Sequence, residues 1–475
     1  MLFNSYEYLL FFPVVALVYF ILPWVKGRII WLLIASYFFY MCWNPIFISL
    51  ILASTIIDYT AARFIGTTQD TGKKKLFLYL SLLSNLGILF YFKYYNFLRD
   101  NLQVVIDQLN LNYAILEHTW LLPVGISFYT FQTLSYTIDV YNGRQKPENN
   151  FFVFALYVSF FPQLVAGPIE RSINLLPQFL EKHKFNYDRV RSGLFLILLG
   201  LFKKIVIADR FALYADEIFD NPNHYIGMTS VMGTIFFSFQ IYCDFSGYTD
   251  IAIGSARVLG YRLMDNFKGP YFSKNIREFW QRWHISLSTW FRDYVYIPLG
   301  GNRHGSYKLY RNLIIVFLVT GLWHGANWTF VVWGMFHGLF LILERIGLGK
   351  LLAKLPSFVQ ILYTFIVVSI SWVFFRAASL TEALTILQNY VTYSSSSFDI
   401  NIYRGDVINT LELQISLVLL ALLIILHYFE YKYDIAAYIL KAPVFVRWPI
   451  YILMIYAIPL LGQYGEYKPF IYFQF

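Results

Sequence analysis

Residues Leu313 to Leu343 read LIIVFLVTGLWHGANWTFVVWGMFHGLFLIL and contain no Asp, Glu, Lys or Arg. The run nevertheless carries two imidazoles, His324 and His337. Its middle, Trp323-His324-Gly325-Ala326-Asn327-Trp328, sets polar groups beside two small residues in an otherwise apolar sequence. An ionisable group at membrane depth costs a few kcal/mol on insertion scales, so it marks a functional site by default. A packed histidine hydrogen-bonded to a neighbouring helix is the plain alternative. Two His, an Asn and flanking Trp gathered in one charge-free run favour function at His324; for His337 both readings stay open.

Composition extends this reading outward. Of 475 residues, 58% are hydrophobic and 21% aromatic, and only 14% are charged, against about 25% in soluble domains. The chain is therefore an all-α polytopic membrane protein, read as one membrane-embedded domain over residues 1–475. The net charge of +9 does not signal nucleic acid, because Lys and Arg sit between apolar runs, as topology demands. Cys42 and Cys243 both lie in apolar surroundings and suggest neither a disulfide framework nor a metal site. The start, MLFNSYEYLLFF, lacks a basic n-region and a small-residue cleavage site and reads as an uncleaved first helix.

Apolar runs of spanning length recur at about 6–25, 29–43, 46–65, 76–92, 119–138, 151–166, 193–207, 228–253, 313–343, 358–375, 414–429 and 448–461, giving about eleven or twelve membrane elements. The positive-inside rule places Lys26 and Arg28, Lys73 to Lys75, and Arg144 with Lys146 in the cytoplasm, with the N-terminus outside. Parity then requires one re-entrant element before the Arg-rich segment 257–311. The best candidate is 151–168, because Pro162, Gly167 and Pro168 break a helix, and broken backbone at membrane depth must line a protein cavity. This reading leaves Lys203 and Lys204 deep or external.

Within 257–311, Trp280, Trp283, Leu287, Trp290 and Tyr294 are spaced 3, 4, 3 and 4, one aromatic stripe at helical pitch. Arg282, Ser286, Thr289 and Asp293 fall opposite, and His284 lies at the border. The pattern predicts an amphipathic helix in the cytoplasmic interface with its Trp side toward lipid. It is either a plain surface helix or the rim of an entry for an anionic cytosolic substrate. The stretch from Arg376 to about Glu412, with Ser394 to Ser397, reads as an external polar loop.

Several chemistries are missing. There is no G-x-x-x-x-G-K-[ST], no H-E-x-x-H and no G-x-S-x-G elbow. A zinc site from His284, His324 and His337 is possible by residue type, but no spacing supports it. Asp244 and Asp250 lie six apart, off a common helix face; they suit a transporter's proton relay together with Asp58 and Asp139, or anchors of a bend at Gly247. What remains is histidine as general base. A hydroxyl attacking an acyl thioester must lose its proton as the bond forms, and an imidazole does this for about 10²–10⁴-fold. A base inside the membrane makes sense if donor and acceptor arrive from opposite sides and bulk water is excluded.

Phe161-Pro162-Gln163-Leu164-Val165-Ala166-Gly167-Pro168-Ile169, Tyr242 to Gly254 (YCDFSGYTDIAIG), Glu278 to Arg303 (EFWQRWHISLSTWFRDYVYIPLGGNR) and Gly321 to Gly338 (GLWHGANWTFVVWGMFHG) resemble motifs of the membrane-bound O-acyltransferase (MBOAT) superfamily, in its alginate O-acetyltransferase-like bacterial branch. The N-terminal LFNSYEYLLFFP and the C-terminal FIYFQF resemble it too, so the likeness spans nearly the whole chain. It implies the MBOAT fold, with about eleven transmembrane helices plus re-entrant and interfacial helices around a central tunnel. It also implies a multi-pass protein of the bacterial cytoplasmic membrane. The family's catalytic histidine falls on His324 and a second sensitive histidine on His284. Asn327, Trp323, His337, Arg282 and Trp283 become binding or supporting residues. No metal and no bound cofactor are implied. Acetyl-CoA is the expected acyl donor, with a polysaccharide acceptor reached directly or through an extracytoplasmic partner protein. The same scaffold serves acetylation of peptidoglycan and D-alanylation of teichoic acid, and the motifs do not select the polymer.

Overall fold

The computed structural model describes residues 1–165, 167–303, 305–392, 410–464 and 470–471, and every regular element among them is helical. Among the described residues, six helical stretches are long and apolar enough to cross a membrane: Pro45–Thr67, Thr71–Gln108, Trp328–Leu352, Ser357–Arg376, Leu411–Lys432 and Val444–Leu461. Other apolar runs form shorter helices, such as Tyr6–Ile21. The run 119–138 becomes helical only from Ile126, after Gly125 turns the chain with a φ of 75°. The run 151–166 breaks at Phe160 into Phe151–Ser159 and Phe161–Leu164, the second piece carrying Pro162 in its first turn. Proline supplies no backbone donor and is tolerated at such a helix start.

By packing, the chain divides into two units: residues Met1–Leu194 with Ile251–Met264, and residues Phe195–Asp250 with Asp265–Phe475. In the first unit, helices α1 (Ile48–Thr67), α2 (Thr71–Leu89) and α3 (Ile126–Tyr141) pack on one another. Their shared polar centre is the fully buried Asp58, which accepts from Ser81 Oγ at 2.5 Å and from Asn85 Nδ2 at 2.9–3.0 Å. A buried carboxylate is tolerable only when donors saturate it; here the donors come from a neighbouring helix, so the same bonds hold the helices together.

The second unit contains helices α4 (Met228–Leu259, with residues to Asp250 in this unit), α5 (Ile276–Arg282), α6 (Ile285–Phe291), α7 (Gly305–His324), α8 (Trp328–Leu343) and α9 (Ser357–Arg376). The central run 313–343 is thus a hairpin of two helices. Its halves approach at Gly321 and Gly334: a Cβ on Gly321 would lie 2.2 Å from Phe330 O, and one on Gly334 would lie 2.1 Å from Phe317 O. Apolar side chains gain little from one another in lipid, so close backbone packing between small residues is what holds such helices together.

Three expectations change. The segment 276–296 is not one surface helix: it breaks between α5 and α6, where His284 takes φ 44° and ψ 53°. Trp280, Trp283, Leu287 and Trp290 turn into the protein rather than toward lipid, with Trp283 against Trp372 at 5.0 Å and Trp280 against Trp333 at 5.7 Å. Nor does Gly247 interrupt α4, which runs helical through it; a Cβ there would lie 2.8 Å from Gly200 O, so the glycine admits a neighbouring backbone. The polar stretch after Arg376 holds a helix, Leu380–Asn389, while Ser394 to Ser397 lie outside the described residues.

Replacing Gly334 with Ala is expected to destabilise the hairpin by about 1–3 kcal/mol, because a methyl group has no room against a carbonyl. Gly87→Ala, whose Cβ would meet nothing within 4 Å, serves as the control. Detergent-solubilised thermal unfolding of the two variants checks this; equal midpoints would remove the close contact as the cause.

Candidate active site

His324 is the last residue of α7. Gly325 and Ala326 carry the chain across the gap, and a Cβ on Gly325 would overlap the Phe330 ring at 2.0 Å. The imidazole is buried in an aromatic cage, with ring centroids of Trp323 and Trp333 each at 4.9 Å and Phe375 at 5.4 Å. His284 faces it at 6.4 Å between centroids. Two residues forty apart in sequence are thereby brought into one water-poor centre.

His284 sits at the break between α5 and α6 and is fully buried. Asn266 holds it from another segment. Asn266 O accepts Ile285 N at 3.0 Å, and Asn266 Oδ1 accepts Ser286 N at 3.2 Å and Ser286 Oγ at 2.9 Å. His284 Nδ1 lies 3.2 Å from the same Oδ1, and Phe245 of α4 covers the ring edge-on at 4.7 Å. Burial pushes the His284 pKa down to about 3, so the ring is neutral at ordinary pH.

His337 is placed differently. Trp280 Nε1–H donates to its Nδ1 at 3.3 Å, and Ser371 Oγ lies 2.9 Å from its Nε2. Ser371 spends its own proton on Val368 O at 2.6 Å, so His337 Nε2–H must be the donor to Ser371. Both ring nitrogens join helices α5, α8 and α9, and neither is spare for chemistry.

The remaining expected residues divide by location. Trp323 stands against both histidines, 4.9 Å from His324 and 6.2 Å from His284. Trp283 is buried between Phe267 at 5.1 Å and Trp372 at 5.0 Å, a wall of the same core. Asn327 caps α8 through Thr329 N at 3.1 Å and donates to Ala378 O at 3.1 Å. Arg282 pairs with Glu278 at 3.0 Å, donates to Lys268 O at 3.0 Å and covers the Tyr431 ring at 4.1 Å. The structure thus collects His324, His284, Trp323 and Trp283 and gives Asn327, Arg282 and His337 fold-holding bonds. Asn266, Phe245, Trp333 and Phe375 complete the centre and were not singled out from sequence. Trp333 could have been, because it lies in the charge-free run; Asn266 carries no local signal.

A cavity of about 780 Å³ opens in the second unit. Lys274, Arg277, Arg292 and Arg345 line it, against Glu344 as the one acid. Its lining also includes Thr320, one turn before His324, and Trp280, which touches His337. The cavity is cation-lined and touches Ile285, the residue after His284, a geometry suited to a polyanionic ligand.

The carboxylates that a proton-coupled carrier would use have other occupations. Asp250 pairs with Lys203 at 3.0 Å, and Asp244 pairs with Lys204 at 2.8 Å. Glu430 adds to Lys203 at 3.4 Å and Asp209 to Lys204 at 2.7 Å. Both lysines are buried, and these pairs are what let two cations sit there; removing one partner from such a pair costs about 3–5 kcal/mol.

Comparison with known proteins identifies the family. Residues 18–375 match the model of MBOAT, the membrane-bound O-acyltransferase family. The chain is 39% identical over 429 residues to the peptidoglycan O-acetyltransferase of Helicobacter pylori, covering 82% of this chain and 80% of that protein. It is 42% identical over 385 residues to the probable alginate O-acetylase AlgI of Pseudomonas putida, covering 81% and 79%. The teichoic acid D-alanyltransferase of Bacillus subtilis is 28% identical over 239 residues, 47% of this chain. The family match and these similarities give one conclusion: the chain belongs to the membrane-bound O-acyltransferase family and is a multi-pass membrane O-acyltransferase.

Proposed function

We propose that this enzyme takes acetyl from acetyl-CoA at the cytoplasmic face of the bacterial inner membrane. The acetyl group passes to a hydroxyl of an extracytoplasmic polysaccharide, directly or through a partner acetyltransferase or acceptor protein. The observation that carries the reading is the pair of buried imidazoles, His324 and His284, standing 6.4 Å apart beside a cavity with four cations in its wall. Those cations suit the phosphates of coenzyme A, and the aromatic cage suits a small apolar acyl group.

The chemistry follows from the residues. His324 takes the proton of the attacking hydroxyl as its oxygen bonds the thioester carbonyl carbon. The carbon–sulfur bond breaks, and the same proton leaves with the thiolate as free thiol. Transfer needs no net proton. His324 lies in the last turn of α7, where the carbonyl end of the helix favours a transient imidazolium by about 0.3–1 kcal/mol. The cage of Trp323, Trp333 and Phe375 keeps out water that would hydrolyse the donor. A second reading, acetylation of peptidoglycan, is favoured by the 39% identity to the Helicobacter pylori enzyme over most of both chains.

Membranes supplied with acetyl-labelled acetyl-CoA should label an extracytoplasmic polymer or protein fraction, and His324→Ala should lower that labelling by about 10²–10⁴-fold at matched expression. Labelling unchanged by the substitution would overturn His324 as the base, and the labelled fraction identifies the acceptor. Arg277→Ala and Arg345→Ala should raise the KM for acetyl-CoA by about 10-fold each, one lost ionic contact, and leave kcat nearly unchanged. His337→Ala is expected to cost about 2–4 kcal/mol of stability through two orphaned partners. Activity per folded molecule should then fall far less than in His324→Ala, measured as specific activity after size-exclusion recovery.

A further inference from the structure

Chain geometry at the second histidine assigns a role to a residue outside every recognised motif. His284 is a non-glycine residue in the left-handed region, with φ 44° and ψ 53°. Such a conformation persists only when its surroundings over-determine it. It also stands at the N-cap of α6, yet its side chain makes no capping bond to that helix. Asn266 supplies what is missing on both counts. Its carbonyl accepts Ile285 N and its Oδ1 accepts Ser286 N, so the two residues that follow the strained turn are both pinned to Asn266.

The amide orientation follows from chemistry. A backbone N–H can only donate, so the atom of Asn266 facing Ser286 N must be oxygen. That same oxygen lies 3.2 Å from His284 Nδ1. Oxygen of an amide can only accept, so His284 Nδ1 carries the hydrogen and donates. The neutral ring has one N–H, and Nε2 therefore holds the lone pair. Asn266 is 1% exposed and His284 0%, so water does not compete for this bond. The ring meets Phe245 from α4, Trp323 and His324 from α7, and Asn266 and Ser286 from its own neighbourhood. His324 is the titratable neighbour among these.

We propose that Asn266 is a positioning residue of the transferase centre, fixing His284 in the tautomer whose Nε2 is a hydrogen-bond acceptor and holding the left-handed turn that aims it. The inference rests on the acyltransfer reading of the His324–His284 pair. It gives His284 a hydrogen-bond-accepting role toward a reacting group, with His324 remaining the base, rather than a donating role toward the thioester oxygen. Asn266 touches no reacting atom; it acts through His284.

The test compares wild type, Asn266→Ala and Asn266→Asp for acetyl transfer from acetyl-CoA across pH, with folded protein quantified in each. Asn266→Ala should lower kcat by about 10–100-fold with the KM for acetyl-CoA within about twofold. Asn266→Asp keeps the accepting oxygen for Ser286 N and His284 Nδ1. It should therefore rescue kcat at alkaline pH. The added carboxylate favours the imidazolium, so activity should fall as pH drops, through an acid limb at least about one unit above the wild type's. In wild type, burial holds His284 neutral, and no such limb is expected from it between about pH 5 and 8. Nitrogen chemical shifts of labelled His284 should report the Nδ1–H tautomer in wild type and a mixture in Asn266→Ala. Full activity of Asn266→Ala, or an Asn266→Asp profile that merely tracks the amount of folded protein, would overturn the assignment. If Asn266→Ala fails to fold, the Asn266→Asp profile decides alone. Absence of transfer in wild type would instead overturn the acyltransfer reading, while the tautomer measurement would still judge Asn266.

Discussion

Everything at the centre depends on how closely two helices approach at Gly321 and Gly334. With backbone carbonyls where a Cβ would stand, α7 and α8 form a hairpin that no larger residue could replace. That contact lies one turn before His324, the last residue of α7. It also sets Trp333 of α8 at 4.9 Å from the imidazole. Lipid offers no hydrophobic reward for bringing helices together, so this steric fit does work that core burial does in a soluble enzyme.

A second constraint is that polar groups far from water need partners. The three histidines of interest meet it in three ways. His337 commits both nitrogens to Trp280 and Ser371 and becomes a rivet among helices. His284 turns one nitrogen to Asn266 and the remaining ring edge toward the centre. His324 is surrounded by aromatic faces at the end of a helix. The same accounting explains Lys203 and Lys204, which positive-inside logic could not seat: each is buried between two carboxylates. Asp58 solves the problem without a cation, through Ser81 and Asn85.

Legibility from sequence followed the range of the interaction. Helical class and membrane character rest on composition and apolar run length, both local, and they were readable. His324 was readable because its context, a charge-free run with Gly, Trp and Asn, is contiguous. The stripe of Trp280, Trp283, Leu287 and Trp290 was read with the right spacing and the wrong partner. Periodicity reports that one face is apolar; it does not say whether lipid or Trp333 and Trp372 cover it. The break at His284 escaped for a related reason. Nothing between 276 and 296 encodes a left-handed turn, because the bonds that hold it come from Asn266.

By itself, then, the sequence determined the helical membrane class, the catalytic candidates His324 and His284, and, through the motifs they sit in, the family. Each of these lives in residues adjacent along the chain or in composition. Only the tertiary structure decided that His284 and His324 face each other at 6.4 Å, that His337 is fully engaged, and that Asn327 caps a helix. Those outcomes depend on hydrogen bonds and ring contacts between segments tens of residues apart. Such contacts are set by how helices close on one another and leave no periodic trace in the chain.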